Sequence, residues 1–440
     1  MPSDEDEMLR SMGLRSVDDL FADLPESVRI PKLDLADGRP EDEVVERVTT
    51  MLSANRTMAD MPTFLGGGVY DHFVPASVRA IISRSEFYTS YTPYQPELSQ
   101  GILQSLWEYQ SLICELTGMD AANTSMYDAS TALGEAARMA YRIRGGKVFL
   151  VPRAVRHNRK SVLTNYLVGA GVEVREVDYN RETGMLDLSK LKEALSPDVC
   201  GVYVENPNFL GRFEEQIGEI RALTDAVLIV GVNPIAQAVV RSPGDFGVDI
   251  VIGEGQVLGS PVNFGGPLLG IFACRQEHIR KMPGRVIGLT RDADGRRAFC
   301  MTLQTREQHI RREKAMSNIC TNESLLAVGA ATYLSVLGAN GLRRVAAQNI
   351  RRAQELASSI NKIDGFTAPI FRGPHFNEFV VRYEKGYATV HRSLLEKGIH
   401  GGLPLTRQLP ELKDAALFAT TGRHTAEAIA RLLKALEGIS

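Results

Sequence analysis

No lysine stands between Lys192 and Lys281, a stretch that holds four of the chain's six apolar strand-like runs. Other absences narrow the function further. Five cysteines, Cys114, Cys200, Cys274, Cys300 and Cys320, are scattered over 440 residues with no CxxC spacing, so neither a zinc site nor a disulfide framework is indicated. The eight histidines show no HxxxH or HExxH pattern, and no metal site is expected. With 50 Lys and Arg against 53 Asp and Glu, a net charge of -3, there is no basic surplus to bind nucleic acid. No apolar run approaches membrane-spanning length, and the acidic start MPSDEDEMLR resembles neither a signal nor a transit peptide, so a cytoplasmic location is expected. Gly66, Gly67 and Gly68 match neither GxGxxG nor a P-loop and read as a bend.

What is present is a globular composition, 44% hydrophobic and 23% charged, sufficient for two or three structural units around a large core. The first sixty residues predict two helices, Ser16 to Leu24 and Glu41 to Ser53, separated by Pro25 and a turn-rich piece. Such an arm suits a course across a neighbouring subunit. Around Glu86 to Gly101, read EFYTSYTPYQPELSQG, Pro93 and Pro96 predict an extended, partly polyproline-like loop with Tyr88, Tyr91 and Tyr94 along one edge. Two readings stand: a packed subunit contact or core lid, and the wall of a site for a small polar ligand, favoured by the loop's many hydroxyl, amide and carboxyl groups. His72, between Tyr70, Asp71 and Phe73, reads either as a ligand-facing imidazole or as structural.

Ser99 predicts the cap of a helix through Thr117 that stops at Gly118, and Asp128 opens a second helix with Leu133, Ala136, Ala140 and Ile143 as its buried stripe. From Lys147 onward KVFLV, VEVREVDY, VCGVYVENP, VLIVGVN, DIVIGEG and LLGIFAC alternate with helical stretches such as Ser189 to Leu195 and Phe213 to Leu223. That pattern predicts a mainly parallel sheet covered on both faces. A helix over Asn322 to Leu337, a second through Ile360, strands at FTAPIF and FNEFVVRY, a helix at Ala388 to Lys397 and a last one from Thr425 complete the expectation. Cys114, Cys200 and Cys274 fall in apolar runs as core thiols; only Cys320, in SNICTN, lies in a polar motif.

Four long strings, FLGGGVYDHFVPASVR, YTSYTPYQPELSQG, LTGMDAANTSMYDASTALGEA and LQTREQHIRREKAMSNICTNESLLA, resemble the glycine decarboxylase family, the P-protein of the glycine cleavage system. They are the motifs of the N-terminal half of its long single-chain members, and the length suits the first subunit of the two-subunit bacterial form. The resemblance implies a fold-type I pyridoxal phosphate (PLP) transferase-like α/β fold. Its parts would be a helical arm over 1–60, a large domain with a mainly parallel sheet over 61–340, and a smaller C-terminal α/β domain over 341–440. Glu323, where an amide is expected, and the glycine-rich 66–68 depart from the family pattern.

An enzyme of that fold needs a Schiff-base lysine near the end of the later strands and an acidic partner for the pyridine nitrogen. The segment GEGQVLGSPVNFGGPLLG occupies the lysine's place and has none; VLIVGVNP ends in Val232 and Asn233, and Asp225 comes too early. DASTALGE suits a helix start descended from a phosphate site without being used as one. No residue of this chain is therefore expected to hold PLP or a metal. The resemblance implies that a PLP-bearing second subunit decarboxylates glycine together with this chain and passes the aminomethyl group to the lipoyl arm of H-protein, in an α2β2 heterotetramer. Tyr94, Gln95 and Glu97 are the candidates for completing the partner's site, then Tyr91 and His72; for each, intersubunit packing is the alternative. A silent scaffold or regulatory subunit is the competing function. An independent transaminase or decarboxylase conflicts with the missing lysine. The run Arg306, His309, Arg311, Arg312 and Lys314 reads as a solvated helix face or as a contact for acidic partner surfaces. Asn318, Thr321 and Asn322 are expected to cap the next helix.

Overall fold

A computed structural model describes residues 3–30, 33–303 and 308–439. The chain forms two compact units, Met1–Thr57 and Met58–Ser440. In the first, a capping box between Ser3 and Asp6 starts α1 (Asp4–Ser11), and three acidic residues in the first turn favour α2 (Glu41–Leu52) through the helix dipole. The sequence reading missed α1. Ser16 to Leu24 was expected to be a helix, but only the 3-10 turn Val17–Phe21 forms. None of its residues is buried, so no packing offsets the cost of nucleating a helix ahead of Pro25.

The second unit opens with α3 (Ala76–Ile82) and the single turn α4 (Ser85–Tyr88), so the loop expected to be extended from Glu86 begins helically. Its helix-breaking prolines lie further on, at 93 and 96. α5 (Gln100–Thr117) ends at Gly118 in the left-handed region (φ 68°) as anticipated, but Ser99 at its start makes no side-chain cap bond. After β1 (Ala121–Ala122), α6 (Ala129–Arg144) starts where the Asp128 carboxylate accepts from Thr131 N at 2.7 Å, and it buries Leu133, Ala136 and Ala140.

Strands and helices then alternate: β2 (Val148–Pro152), α7 (His157–Val168), β3 (Glu173–Val177), α8 (Leu188–Ala194), β4 (Val199–Asn206), α9 (Ile217–Leu223), β5 (Val227–Val232), β6 (Ile250–Glu254) and β7 (Gly270–Cys274). They form one sheet in the order β1-β7-β6-β5-β4-β2-β3. β3, β2, β4, β5 and β6 run parallel, whereas β7 is antiparallel to both β6 and β1. β4, β5 and β6 are buried along their whole length, which explains why they read as apolar runs without alternation. Cys200 and Cys274 lie in this core, and Cys320 is exposed.

A hairpin follows, β8 (Val286–Arg291) and β9 (Arg297–Thr302), then the turn α10 (Gln308–Arg311) and α11 (Ser324–Ile360). By length and composition α11 would pass for a membrane span. Gly338, at φ 58° and ψ -178°, breaks it, and Ala327, Val328, Tyr333 and Leu342 on either side of the break are buried in the core. The remaining chain builds a separate four-stranded antiparallel sheet, β10 (Phe366–Thr367), β11 (Glu378–Tyr383), α12 (Tyr387–Glu396), β12 (Leu403–Pro404), β13 (Ala415–Ala419) and α13 (Ala426–Glu437). Phe379, Val381, Phe418 and Leu432 fill its core together with Phe64.

Candidate functional site

The proline-containing loop stands on the hairpin. Gln100 Nε2 donates to Pro96 O at 2.6 Å and to Phe299 O at 2.8 Å, while Phe299 N donates back to Gln100 Oε1 at 2.9 Å. Pro93 is buried, which anchors the middle. Tyr91, just before Pro93, is 72% exposed and Tyr94, just after it, 54%, with Gln95, Glu97 and Leu98 exposed beside them. Tyr88, likewise exposed, completes the row of tyrosines. Tyr94 also borders a cavity of about 290 Å3 lined by Met282, Met301, Met316, Arg285 and Asn322. The Arg285 guanidinium lies 5.8 Å from the Tyr94 ring centre, within cation–π range.

Asn322 does not cap α11 as expected. Its amide donates to Thr124 Oγ1 (2.9 Å) and Ser125 Oγ (3.1 Å), and its oxygen accepts from Arg285 (3.0 Å), so it ties the SNICTN turn to the start of the sheet. Glu323 occupies the cap position without a side-chain cap bond. Asn318 is exposed and Thr321 half-buried. His309, Arg311, Arg312 and Lys314 are exposed, and Arg306 falls outside the described residues.

His72 is not brought to the exposed loop surface. It is buried, its Nε2 has no hydrogen-bond partner among the described residues, and burial, helped by the nearby His424, holds its pKa down to about 4, so the imidazole is neutral. The chain beside it is tied to the second sheet: Thr421 Oγ1 donates to Asp71 O at 2.6 Å, and Arg423 pairs with Asp71 at 3.2 Å.

The second place of chemical interest is the crevice outside the carboxyl ends of β4, β5 and β6, where open α/β sheets bind ligands. Its walls include Gly67, Gly68, Tyr70, Arg156, Arg159, Glu205, Val232, Asn233, Glu254 and Glu378, with no lysine among the described lining residues. The three glycines are a close approach. Gly67 and Gly68 have φ of 93° and 103°, and a Cβ on Gly66 would sit 2.1 Å from Glu378 Oε1. That carboxylate accepts from Gly67 N at 2.5 Å and from the Tyr70 hydroxyl at 2.7 Å. Arg159 and Glu205 form an ion pair, and the Tyr203 hydroxyl donates to Glu205 at 2.8 Å. Glu254 accepts three backbone N–H groups, from Ala129 (3.1 Å), Gln256 (3.1 Å) and Leu269 (3.0 Å). Burial pushes the carboxyls of Glu254 and Glu378 up to about 7 against these bonds.

Only about 40 Å3 of the crevice is open. An apolar cavity of about 150 Å3 holds benzene, and the space among these side chains is well below that of an aromatic ring. The residues present do not suit PLP: no lysine lines the crevice among the described residues, and Val232 and Asn233 stand where an acidic partner is required. The sequence reading missed Glu205, Glu254 and Glu378. For Glu205 and Glu254 the signal was a carboxylate at the end of an apolar run, VCGVYVE and IVIGE; Glu378, at the start of EFVVRY, carried none.

The fold defines the class first. A glutamate decarboxylase of Lactobacillus brevis CGMCC 1306 superposes with a TM-score of 0.70 over 95% of this chain and 96% of that one at 12% identity. A sphingosine-1-phosphate lyase of Burkholderia pseudomallei K96243 does so at 0.66 over 94% of each at 15%. The chain therefore has the fold-type I architecture of PLP-dependent enzymes. The profile described as "Glycine cleavage system P-protein" matches residues 1–436. A probable glycine dehydrogenase (decarboxylating) subunit 1 from Thermococcus onnurineus is 48% identical, covering 99% of this chain and 98% of its own. One from Desulfitobacterium hafniense is 44% identical over 98% and 96%. A crystal structure of an inhibitor-bound glycine decarboxylase (P-protein) of the glycine cleavage system has a TM-score of 0.91 at 39% identity, covering 100% of this chain and 99% of that one. This chain belongs to the glycine cleavage system P-protein family.

Proposed function

We propose that this chain serves as subunit 1 of a glycine dehydrogenase (decarboxylating), holding no PLP itself and completing the active site of a PLP-bearing second subunit. The observation that carries this is the strand-end crevice, lined without lysine among the described residues and narrowed by its Arg159–Glu205 ion pair to about 40 Å3. The chemistry supplied by PLP is stabilisation of the electron pair released when glycine loses carbon dioxide. This chain contributes Tyr91, Tyr94, Gln95 and Glu97, exposed on a loop held in its middle by Pro93 and at its end by Gln100. Pressed onto the partner, the tyrosines exclude water, the Glu97 carboxylate holds the substrate ammonium, and Gln95 orients the bound glycine. His72, neutral and buried, acts only by positioning, through the Asp71 tie to Thr421. The aminomethyl group passes to the lipoyl arm of H-protein, in a cytoplasmic α2β2 assembly; the chain's catalytic unit divides at 340/341 into a large and a small domain.

The test is glycine-dependent carbon dioxide exchange with lipoylated H-protein, using this chain alone, the partner alone and the two mixed. Activity only in the mixture, with the visible absorbance of the lysine-bound cofactor belonging to the partner, is the expected result. Full activity in the partner alone makes this chain a scaffold.

A further inference from the structure

Helix α6 is sixteen residues long, and its first N–H groups, with the dipole behind them, form the kind of anion seat that phosphates occupy. Here three N–H groups from three separate segments converge on one carboxylate. Ala129 N, at the helix start, donates to Glu254 Oε2; Gln256 N, just beyond β6, and Leu269 N, just before β7, donate to Oε1. Glu254 is only 7% exposed. The side chain thus satisfies a helix-start donor of the kind that binds anions, together with two loop donors, and it does so from the end of β6. A few residues beyond that point, in the turn to β7, this fold would carry its cofactor lysine.

We propose that the Glu254 carboxyl is a built-in plug, taking the phosphate place at the start of α6 and keeping the crevice closed to phosphate esters. This rests on the reading of the chain as cofactor-free and adds the residue that makes it so. A phosphate arriving at the same donors would meet a carboxylate already in contact with them, in a space too small for both. Removing the carboxylate leaves three convergent N–H donors, the helix dipole, and Arg156 and Arg159 along the same crevice. The seat is then open and electropositive.

Full-length chains of the wild type, Glu254→Ser and Glu378→Gln are compared by equilibrium dialysis against inorganic phosphate and by thermal melting with and without it. Ionic strength is matched with chloride. Glu378→Gln alters a second buried carboxyl in the same crevice without touching the α6 donors, and so controls for general loosening. The expected result is at least about tenfold tighter phosphate binding by Glu254→Ser than by wild type, with a melting temperature raised by phosphate in that variant alone. Equal binding by Glu254→Ser and wild type, or an equal gain in Glu378→Gln, overturns the proposal. Should Glu254→Ser fail to fold in chloride, refolding yield is the readout: a higher yield in phosphate supports the seat, and equal yields overturn it. Wild-type chain that takes up PLP with lysine-bound absorbance would instead sink the cofactor-free reading, a result distinguishable from a silent variant beside a silent wild type.

Discussion

Two regions of this molecule treat polar groups in opposite ways. In the crevice at the ends of β4, β5 and β6, every carboxylate is spent inward: Glu205 on Arg159, Glu254 on three backbone donors, Glu378 on Gly67 and Tyr70. In the loop over 90–99, Tyr91, Tyr94, Gln95 and Glu97 face outward. A buried group that is fully matched by its own chain contributes to stability and specificity of the fold, whereas an exposed group on a pinned loop is available to something else. On the proposed reading, the place where this fold binds its ligand is filled by the chain's own side chains, and recognition belongs to the loop.

The contrast is broken most severely at the Arg159–Glu205 pair. Arg159→Ala leaves a 5% exposed carboxylate without its partner and is expected to lower unfolding free energy by about 3–5 kcal/mol in urea titration. Loss of less than about 1 kcal/mol would mean that the crevice is wet. The next effect is one of pH. The Glu378 carboxyl is raised from 4.5 to about 7 by burial, so the folded state holds a proton that the unfolded state has released. Its stabilising contribution is complete below about 4.5 and lost as pH rises through 7. Glu378→Gln removes this dependence, and its stability relative to wild type should rise by up to about 3 kcal/mol between pH 5 and 8.

On the loop side, Tyr94→Phe and Glu97→Gln should lower the exchange rate of the mixed subunits at least about tenfold, equivalent to about 1.4 kcal/mol. Their unfolding free energies should stay within about 0.5 kcal/mol of wild type. A stability loss with activity intact would show the loop to be packing rather than recognition. The smallest expected effect is at the seam between the SNICTN turn and the sheet. Asn322→Ala removes bonds to Thr124, Ser125 and Arg285 and should cost about 1 kcal/mol, read by melting of the isolated chain.

Much of the architecture was legible beforehand because the signals are local. Buried parallel strands must be apolar on both faces, so β4, β5 and β6 stood out as runs, and Gly118 and Gly145 marked helix ends that only positive φ allows. The β8–β9 hairpin, with its exposed, mixed-polarity strands, and α7, with buried Leu163 and Leu167 but no caps, carried no such pattern and were not foreseen. Of the proposed loop residues, their exposure was not readable: tyrosines separated by prolines look the same whether buried or free. His72 illustrates the limit in the other direction, since its buried, neutral state depends on β13 and the turn after it, some 350 residues away along the chain.

The sequence by itself determined the family, the parallel α/β core and the absence of a lysine where the fold would carry one. These follow from residue type and order, which a linear string contains in full. Only the tertiary structure decided how the crevice is lined, because its narrowness depends on Glu254 meeting Ala129, and Glu378 meeting Gly67, across separations of 125 and 311 residues. Whether a carboxylate at a strand end is a ligand, a catalyst or a plug is set by which backbone donors converge on it, and that convergence exists only once the chain has folded.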